Sequence, residues 1–323
     1  MNKLIESKLI ENKMYLDSSK TLKTKFSILI TTKDRLKELK ITLQKTAHLL
    51  SRNDVACIVY DDGSKDGTFE FIKINYPNIQ LLRNETSKGL IFCRNVLLSK
   101  TNSTYAISID DDLHFLSESP IEIIEEYFEN NPDCGVVSFS TFWNIDPPSN
   151  TKSIDKPCRT RSFLGGSHAI KMTAWQSIPN YPDWFIFYGE EDFASYHLFE
   201  NEWQVHYLPQ IITHHRVDIK RRKKCKDYLQ RSRRALRSGW YLYFLFIPLR
   251  FIPKKIAFSI FNQIKLKTLK GDWKATLSIL LAIFDLILNS YKIIKNTNRL
   301  TTKEYHAYLE LAETKIYWKP EKQ

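Results

Sequence analysis

Five short runs of β-branched and aromatic residues mark the first half of the chain: Phe26–Thr31, Val55–Tyr60, Ile79–Leu82, Tyr105–Ile109 and Gly135–Phe139. Each is bounded by polar or turn residues, and the spacing predicts strands. Between them, Arg35–Leu50, Thr68–Tyr76, Leu90–Ser99 and Ile121–Glu129 repeat apolar residues every three or four positions, behind polar starts such as Asp34, Asp66 and Ser87. These predict helices. Trp203–Thr213 reads as a later strand, Gly165-Gly166 precede another, and Trp143–Ser162, rich in Pro, Asn, Ser and Thr, reads as a long loop. Strand and helix alternating at this pitch predict an α/β fold with a mainly parallel sheet covered on both faces. In such sheets ligands lie beyond the carboxyl ends of the strands.

Those ends are acidic. The first strand runs into Thr31-Thr32-Lys33-Asp34-Arg35, the second into Asp61-Asp62-Gly63-Ser64-Lys65-Asp66-Gly67, and the fourth into Asp110-Asp111-Asp112. The second segment also fits a plain turn and helix cap. It is no EF-hand, because Lys73 stands where a bidentate Glu is needed. Three adjacent carboxylates after a buried strand repel one another unless a cation or solvent screens them. Asp110 and Asp112, two apart, reach one hard cation such as Mg²⁺ or Mn²⁺, shared with a substrate diphosphate. Neither a P-loop nor a dinucleotide-binding glycine motif is present to take the phosphate role.

The ordered series ILITTKDR, VYDDGSKDGT, NETSKGLIFCRN, SIDDDLHF, FYGEEDFASYHLFENEW and YLPQIITHHR resembles family 2 of the inverting GT-A glycosyltransferases, over about Phe26 to Arg216. Two segments depart from the family pattern: Thr31-Thr32-Lys33-Asp34 stands where Pro-Thr-Tyr-Asn is usual, and Ser195-Tyr196-His197 where an Arg is common. The resemblance implies a Rossmann-like GT-A domain over residues 25–216, between an N-terminal extension (1–24) and a basic helical region (217–323). It implies a nucleoside-diphosphate-sugar donor, UDP- or dTDP-type favoured. Asp62, with Asp61 as alternative, would accept from the base, since an imide N–H needs an acceptor. Thr32 and Asp34 would line the nucleotide side, and Lys88 would meet base or phosphate. Arg94 matches a recurring family Arg, and a structural ion pair explains it equally well.

Asp110 and Asp112 match the DxD motif that bridges metal to diphosphate, with Asp111 touching the ribose or bracing the loop. His214 or His215 falls where the family places a further ligand. Asp192 is the expected catalytic base, with Glu191 second, since inversion needs one carboxylate to deprotonate the acceptor hydroxyl. Acids opening a helix also complement its dipole.

Charge divides the chain. Residues 1–215 carry 23 basic and 28 acidic side chains, whereas 216–323 carry 25 and 8. Arg216–Arg237 holds eleven Lys or Arg and runs into the aromatic stretch Trp240–Ile247. Cations beside aromatic residues suit an anionic membrane surface. Nucleic acid is the weaker partner, because so apolar a stretch would not stay exposed. The N-terminus has no hydrophobic run of signal-peptide length, and the longest apolar stretches fall short of a membrane span. Five scattered cysteines suggest neither disulfides nor zinc. Together these predict a cytoplasmic enzyme peripheral to the inner membrane face, acting on a lipid-linked or cell-surface glycan. A non-catalytic sugar-binding module and a nucleotidyltransferase are the alternatives; the latter would want a glycine-rich loop after the first strand, and ILITTKDR has no glycine.

Overall fold

The computed structural model describes residues 24–218 and 227–320. Strands β1 (Phe26–Thr32), β2 (Val55–Asp61), β3 (Gln80–Arg83) and β4 (Tyr105–Asp110) alternate with helices α1 (Leu36–Leu50), α2 (Thr68–Asn75) and α3 (Leu90–Lys100). Then come β5 (Leu113–Phe115), α4 (Pro120–Asn130), β6 (Cys134–Trp143), β7 (Cys158–Arg159) and β8 (Ser167–Lys171). Helices α5 (Met172–Gln176) and α6 (Glu190–Glu200) lead to the long strand β9 (Gln204–His215). One nine-stranded sheet results, ordered β3-β2-β1-β4-β8-β6-β9-β5, with β7 on β9.

Strand β1 is central and apolar on both faces, as a strand covered on both sides must be. Ile28 and Ile30 share one core layer with Leu39 and Leu43 of α1, while Leu29 joins Ile91 and Leu97 of α3 in the other. The first four strands are parallel to one another. Beyond β4 the sheet is mixed: β8 runs antiparallel between β4 and β6, β9 is parallel to β6, and β5 and β7 are antiparallel to β9. The strand expected after Gly165-Gly166 is β8, and nothing in the periodicity shows that it runs antiparallel. An inserted strand of that direction begins at the rim where β4 ends, and so delivers Gly165-Gly166 to the site. The predicted loop 143–162 also holds the short β7.

Helices α7 (Tyr228–Phe246), α8 (Ile252–Leu266), α9 (Trp273–Leu288), α10 (Ser290–Lys295) and α11 (Thr302–Glu310) follow. The aromatic run expected at a membrane is core instead. Trp240, Tyr241, Leu245, Phe246 and Ile247 are each at most 1% exposed. Phe246 stacks on Tyr196 of α6 at 4.5 Å, and Tyr241 packs on Trp184 and Phe185. Part of the basic stretch, residues 219–226, lies outside the described residues. Within the rest, Arg233 and Arg237 clamp the buried Asp285 of α9, and Arg237 Nη2 donates to the Phe185 carbonyl at 2.7 Å. Among the described residues no helix is long and apolar enough to cross a membrane.

Burial would raise the Asp285 carboxyl, but the hydrogen bond from Arg233 and the charges of Arg237 and Arg233 hold it below its ordinary value. Removing one member of such a pair strands the others without a counter-charge. Asp285→Ala is therefore expected to cost about 3 kcal/mol, read as a lower denaturant midpoint with an unchanged m-value.

Candidate active site

Two acidic rims face each other across a cleft of about 610 Å³. The first is the end of β4 and the turn after it. Asp110, Asp112 and His215 each offer one ligand atom, and these atoms lie within 4.8 Å of one another. His215 Nε2 is 2.8 Å from Asp112 Oδ1 and 3.9 Å from Asp110 Oδ2. Burial would raise Asp112, but the hydrogen bond and charge of His215, with Arg35 and Arg216, hold it below the ordinary carboxylate value. Two carboxylate oxygens and an imidazole nitrogen form a donor set that fits Mn²⁺ or Mg²⁺, the nitrogen favouring Mn²⁺.

Neighbouring residues on a strand point to opposite faces, which separates the two histidines. His214 packs against the His114 and Phe142 rings, and its Nε2–H donates to the Asn144 carbonyl at 2.9 Å. It is therefore not with the carboxylates, and His215 alone of the expected pair joins them. Asp111 also turns away: it accepts from Thr32 Oγ1 and Arg35 Nε, each at 2.8 Å. Burial raises its carboxyl to about 7 against the opposing charge of Arg35. Thr32 and Asp111 thus brace the loop beneath the site. Arg35, which also bonds Asp112, drew no notice in the sequence.

The second rim opens α6. The chain approaches it through Ile186, Tyr188 and Gly189, with φ of 69°, 72° and 87°. Glycine adopts this left-handed region freely, whereas a β-branched Ile there is strained, a feature that gathers at functional sites. Glu190 is buried and takes Arg94 Nη1 at 2.5 Å. Arg94 Nη2 reaches the other way, to Asp110 Oδ1 at 3.0 Å. The guanidinium is thus buried between the rims and occupied by two carboxylates, the ion-pair role that the sequence leaves open beside a family match. Burial raises Glu191 well above its ordinary value, and the charges of Glu190 and Asp192 add to the effect. Asp192 is also raised by burial; a hydrogen bond from Ser162 opposes the shift and the Glu190 charge adds to it.

Gly165 and Gly166 make this crowding possible. A Cβ at Gly166 would stand 2.2 Å from the Asp110 carboxylate, and one at Gly165 would stand 2.5 Å from Arg94 Nη1. The glycines admit the protein's own charged groups, a role the sequence left open between close approach and a plain turn.

On the nucleotide side, Asp62 is fully engaged. It accepts from Asn84 Nδ2, Ser87 Oγ and the backbone N–H groups of Lys88 and Gly89, at 2.6–3.0 Å. Burial opposes them, yet these four donors hold its carboxyl below the ordinary value. The oxygens of Asp62, preferred over Asp61 in the sequence as base acceptor, are thus already committed to the loop 84–89. Asp61 accepts from Ser64 N–H at 2.8 Å through Oδ1, while its buried Oδ2 has no hydrogen-bond partner, the nearest cation being Arg83 Nε at 3.6 Å. Asp34 Oδ1 accepts from Lys65 N–H at 2.7 Å, tying the first loop to the second. Lys88 Nζ lies over the Phe92 ring at 4.6 Å.

Apart from Phe187 and Tyr188, which open the FYGEED motif, the remaining wall comes from residues the motifs did not reveal. Phe187 and Tyr188 line the cleft, as do Ser238 and Leu242 of α7. So does an extended segment, 311–320, that follows α11 and contributes Glu313, Thr314 and Ile316. Arg161 N–H donates to Ala312 O, and Trp318 N–H to Thr141 O, each at 2.9 Å. Trp143 stands between this segment and the first rim, 5.0 Å from the Tyr317 ring and 4.5 Å from His215.

This fold and site define the GT-A class. The chain matches the model of glycosyl transferase family 2 over residues 27–193, and it belongs to that family. Its fold is similar to that of GalNAc-T7, solved with UDP, GalNAc and Mn²⁺, at 14% identity and TM-score 0.54, covering 70% of this chain and 49% of the other. The chain thus spans about half the length of that protein. It is also similar to the mannosyltransferase PcManGT from Pyrobaculum calidifontis, solved with GDP-Man and Mn²⁺, at 13% identity and TM-score 0.52, over 95% of this chain and 86% of the other. Residues 1–349 of S. aureus TarS, solved with UDP-GlcNAc, match at 14% identity and TM-score 0.54, over 85% and 84%. No curated protein matches the chain.

Because any side chain at 166 meets the Asp110 carboxylate, Gly166→Ala is expected to displace that ligand. Titration with Mn²⁺, followed by calorimetry, should show affinity at least about tenfold weaker, with the circular dichroism spectrum unchanged.

Proposed function

We propose that this protein transfers a sugar, with inversion, from a nucleoside-diphosphate-sugar to a hydroxyl of a lipid-linked or cell-surface glycan. The observation that carries the reading is the pairing of a two-carboxylate, one-imidazole cluster with a carboxylate-bearing helix start across one cleft, the two joined by Arg94. Asp110, Asp112 and His215 would hold Mn²⁺ or Mg²⁺, which when bound neutralises charge on the departing diphosphate. Asp61 is the acceptor for the base: its buried Oδ2, 3.6 Å from Arg83 Nε and without a hydrogen-bond partner, suits the imide N–H of uracil or thymine, and the Asp62-braced loop holds the strand end that carries it. Lys88 remains available at the edge of that loop for base or phosphate.

Asp192 is the general base. It lines the cleft, and its raised pKa brings it toward the operating pH, which improves proton transfer. Burial and the charges of Glu190 and Asp192 also raise Glu191 well above its ordinary value, which favours its protonated form. The Ser195 hydroxyl donates to the Glu191 carbonyl at 2.6 Å and lies 3.2 Å from Ser162 Oγ, leaving the Ser162 proton for Asp192. In this mechanism the acceptor oxygen attacks the anomeric carbon as its proton passes to Asp192, and the diphosphate leaves from the opposite face. No covalent intermediate forms on the protein.

Asp192→Asn is expected to lower kcat by about 10²–10⁴ while UDP-sugar binding persists; an unimpaired kcat would remove the assignment. The acid limb of the kcat/KM profile should lie above the ordinary carboxylate range. Because the Ser162 hydrogen bond favours the ionised form, Ser162→Ala should move that limb to still higher pH. A limb that stays in place would point to Glu191.

For the donor, UDP-, dTDP- and GDP-sugars with Mn²⁺ should be compared by thermal shift, since a ligand that binds the folded state alone raises Tm. UDP- or dTDP-sugars are expected to stabilise the protein, and Asp61→Asn to abolish that shift; Asp62→Asn should instead lower Tm without any ligand.

A further inference from the structure

Helix α9 is largely apolar, Lys274 and the clamped Asp285 being its charged residues, and its two faces differ in kind. Ala275, Ser278, Ile279 and Ala282 are buried, and their mostly small side chains let the helix lie close against α7. Two residues further along, roughly 200° round at 3.6 residues per turn, runs a second line: Trp273, Leu277, Leu280, Phe284 and Ile287. All five are exposed, Trp273 by 74% and Ile287 by 65%. The line continues through Tyr291 and Ile294 on α10, and Phe258 and Phe261 of α8 are exposed as well. A helix that is hydrophobic on every side is expected to be covered on every side. The exposed line is also far larger than isolated surface apolar residues, which need no explanation.

The charges around it identify the cover. Lys265, Lys270, Lys274, Lys292 and Lys295 are exposed around these helices. The carboxylates between Arg250 and Asn296 are Asp272 and Asp285. Asp272 accepts from the Tyr228 hydroxyl at 2.5 Å, and Asp285 is clamped by two arginines. A second copy laid on this surface would set lysine against lysine with no acid between them. An anionic bilayer complements both features: apolar side chains enter the hydrocarbon boundary, and lysines meet head groups. At about 1.5 Å per residue, a helix of this length reaches roughly 24 Å and is too short to span. We propose that α8–α10 form a monotopic docking face for an anionic lipid surface, with the Trp273–Ile287 line as its apolar keel. The sequence-based expectation put the basic-aromatic run through Trp240–Ile247 at the membrane and left the segments Arg250–Leu269 and Asp272–Lys295 open between lying on a bilayer and packing as a helical domain; the structure buries the first run, and the proposal does not depend on the proposed chemistry.

The full chain should be co-sedimented with phosphatidylcholine vesicles, with and without phosphatidylglycerol, alongside a Leu280→Ser/Phe284→Ser variant and a Lys270→Gln/Lys274→Gln/Lys292→Gln variant. The expected result is binding to phosphatidylglycerol vesicles that falls at least about tenfold in the apolar variant. The lysine variant should lose salt-sensitive binding. Because every substituted side chain is exposed, Tm should stay at the wild-type value. Three results would overturn the proposal: no vesicle binding by the wild type, equal binding by the apolar variant, or a vesicle-resistant dimer that Leu280→Ser/Phe284→Ser dissociates.

Discussion

The Arg94 guanidinium is the constraint around which the site is built. It is buried, and it is tolerated there because Asp110 and Glu190 balance its charge from opposite sides. Burial would lower its pKa, but the charges of Glu190, Asp110 and Glu191 more than restore it. One rigid cation thereby fixes the separation between a strand end and a helix start that come from different parts of the fold. The bare backbone at Gly165 provides the room. The same cation lowers the cost of holding three acids in the first turn of α6, where the helix dipole also favours negative charge.

Much of this was legible in the sequence because strand ends and helix starts have local signatures. β1 to β4 and their helices followed the periodicity, and Asp110-x-Asp112 and Glu190-Glu191-Asp192 declared themselves as clustered charge. What stayed hidden depended on direction and distance. His214 and His215 are equivalent in a string of letters, and the pleat of β9 separates them. Asp61 and Asp62 differ in how many donors surround each, which the fold of loop 84–89 decides. Trp240–Ile247 is as apolar as a membrane-facing segment, and only its packing against α6 shows which environment claimed it. The reverse holds for Trp273–Ile287, where an evenly hydrophobic helix gives no hint of which side is left uncovered.

The two acidic rims also show how charge of one sign is made bearable without filling the cleft. Asp111 is tied to Thr32 and Arg35, Asp62 to four donors, and Glu190 to Arg94. Each of these stands beside a carboxylate placed differently: Asp111 beside Asp110 and Asp112 of the metal-ligand cluster, Asp62 beside Asp61, whose Oδ2 has no hydrogen-bond partner, and Glu190 two residues before Asp192, which lines the cleft.

The segment 311–320 has a kinetic corollary. It is stitched to Arg161, whose backbone N–H donates to the Ala312 carbonyl, while the Arg161 guanidinium bonds the Leu309 carbonyl at the end of α11, 148 positions away. Contacts of such long sequence separation close slowly, since chain entropy must be lost before they form. Closing this wall therefore costs more chain entropy than pairing β1 with β2 or β4.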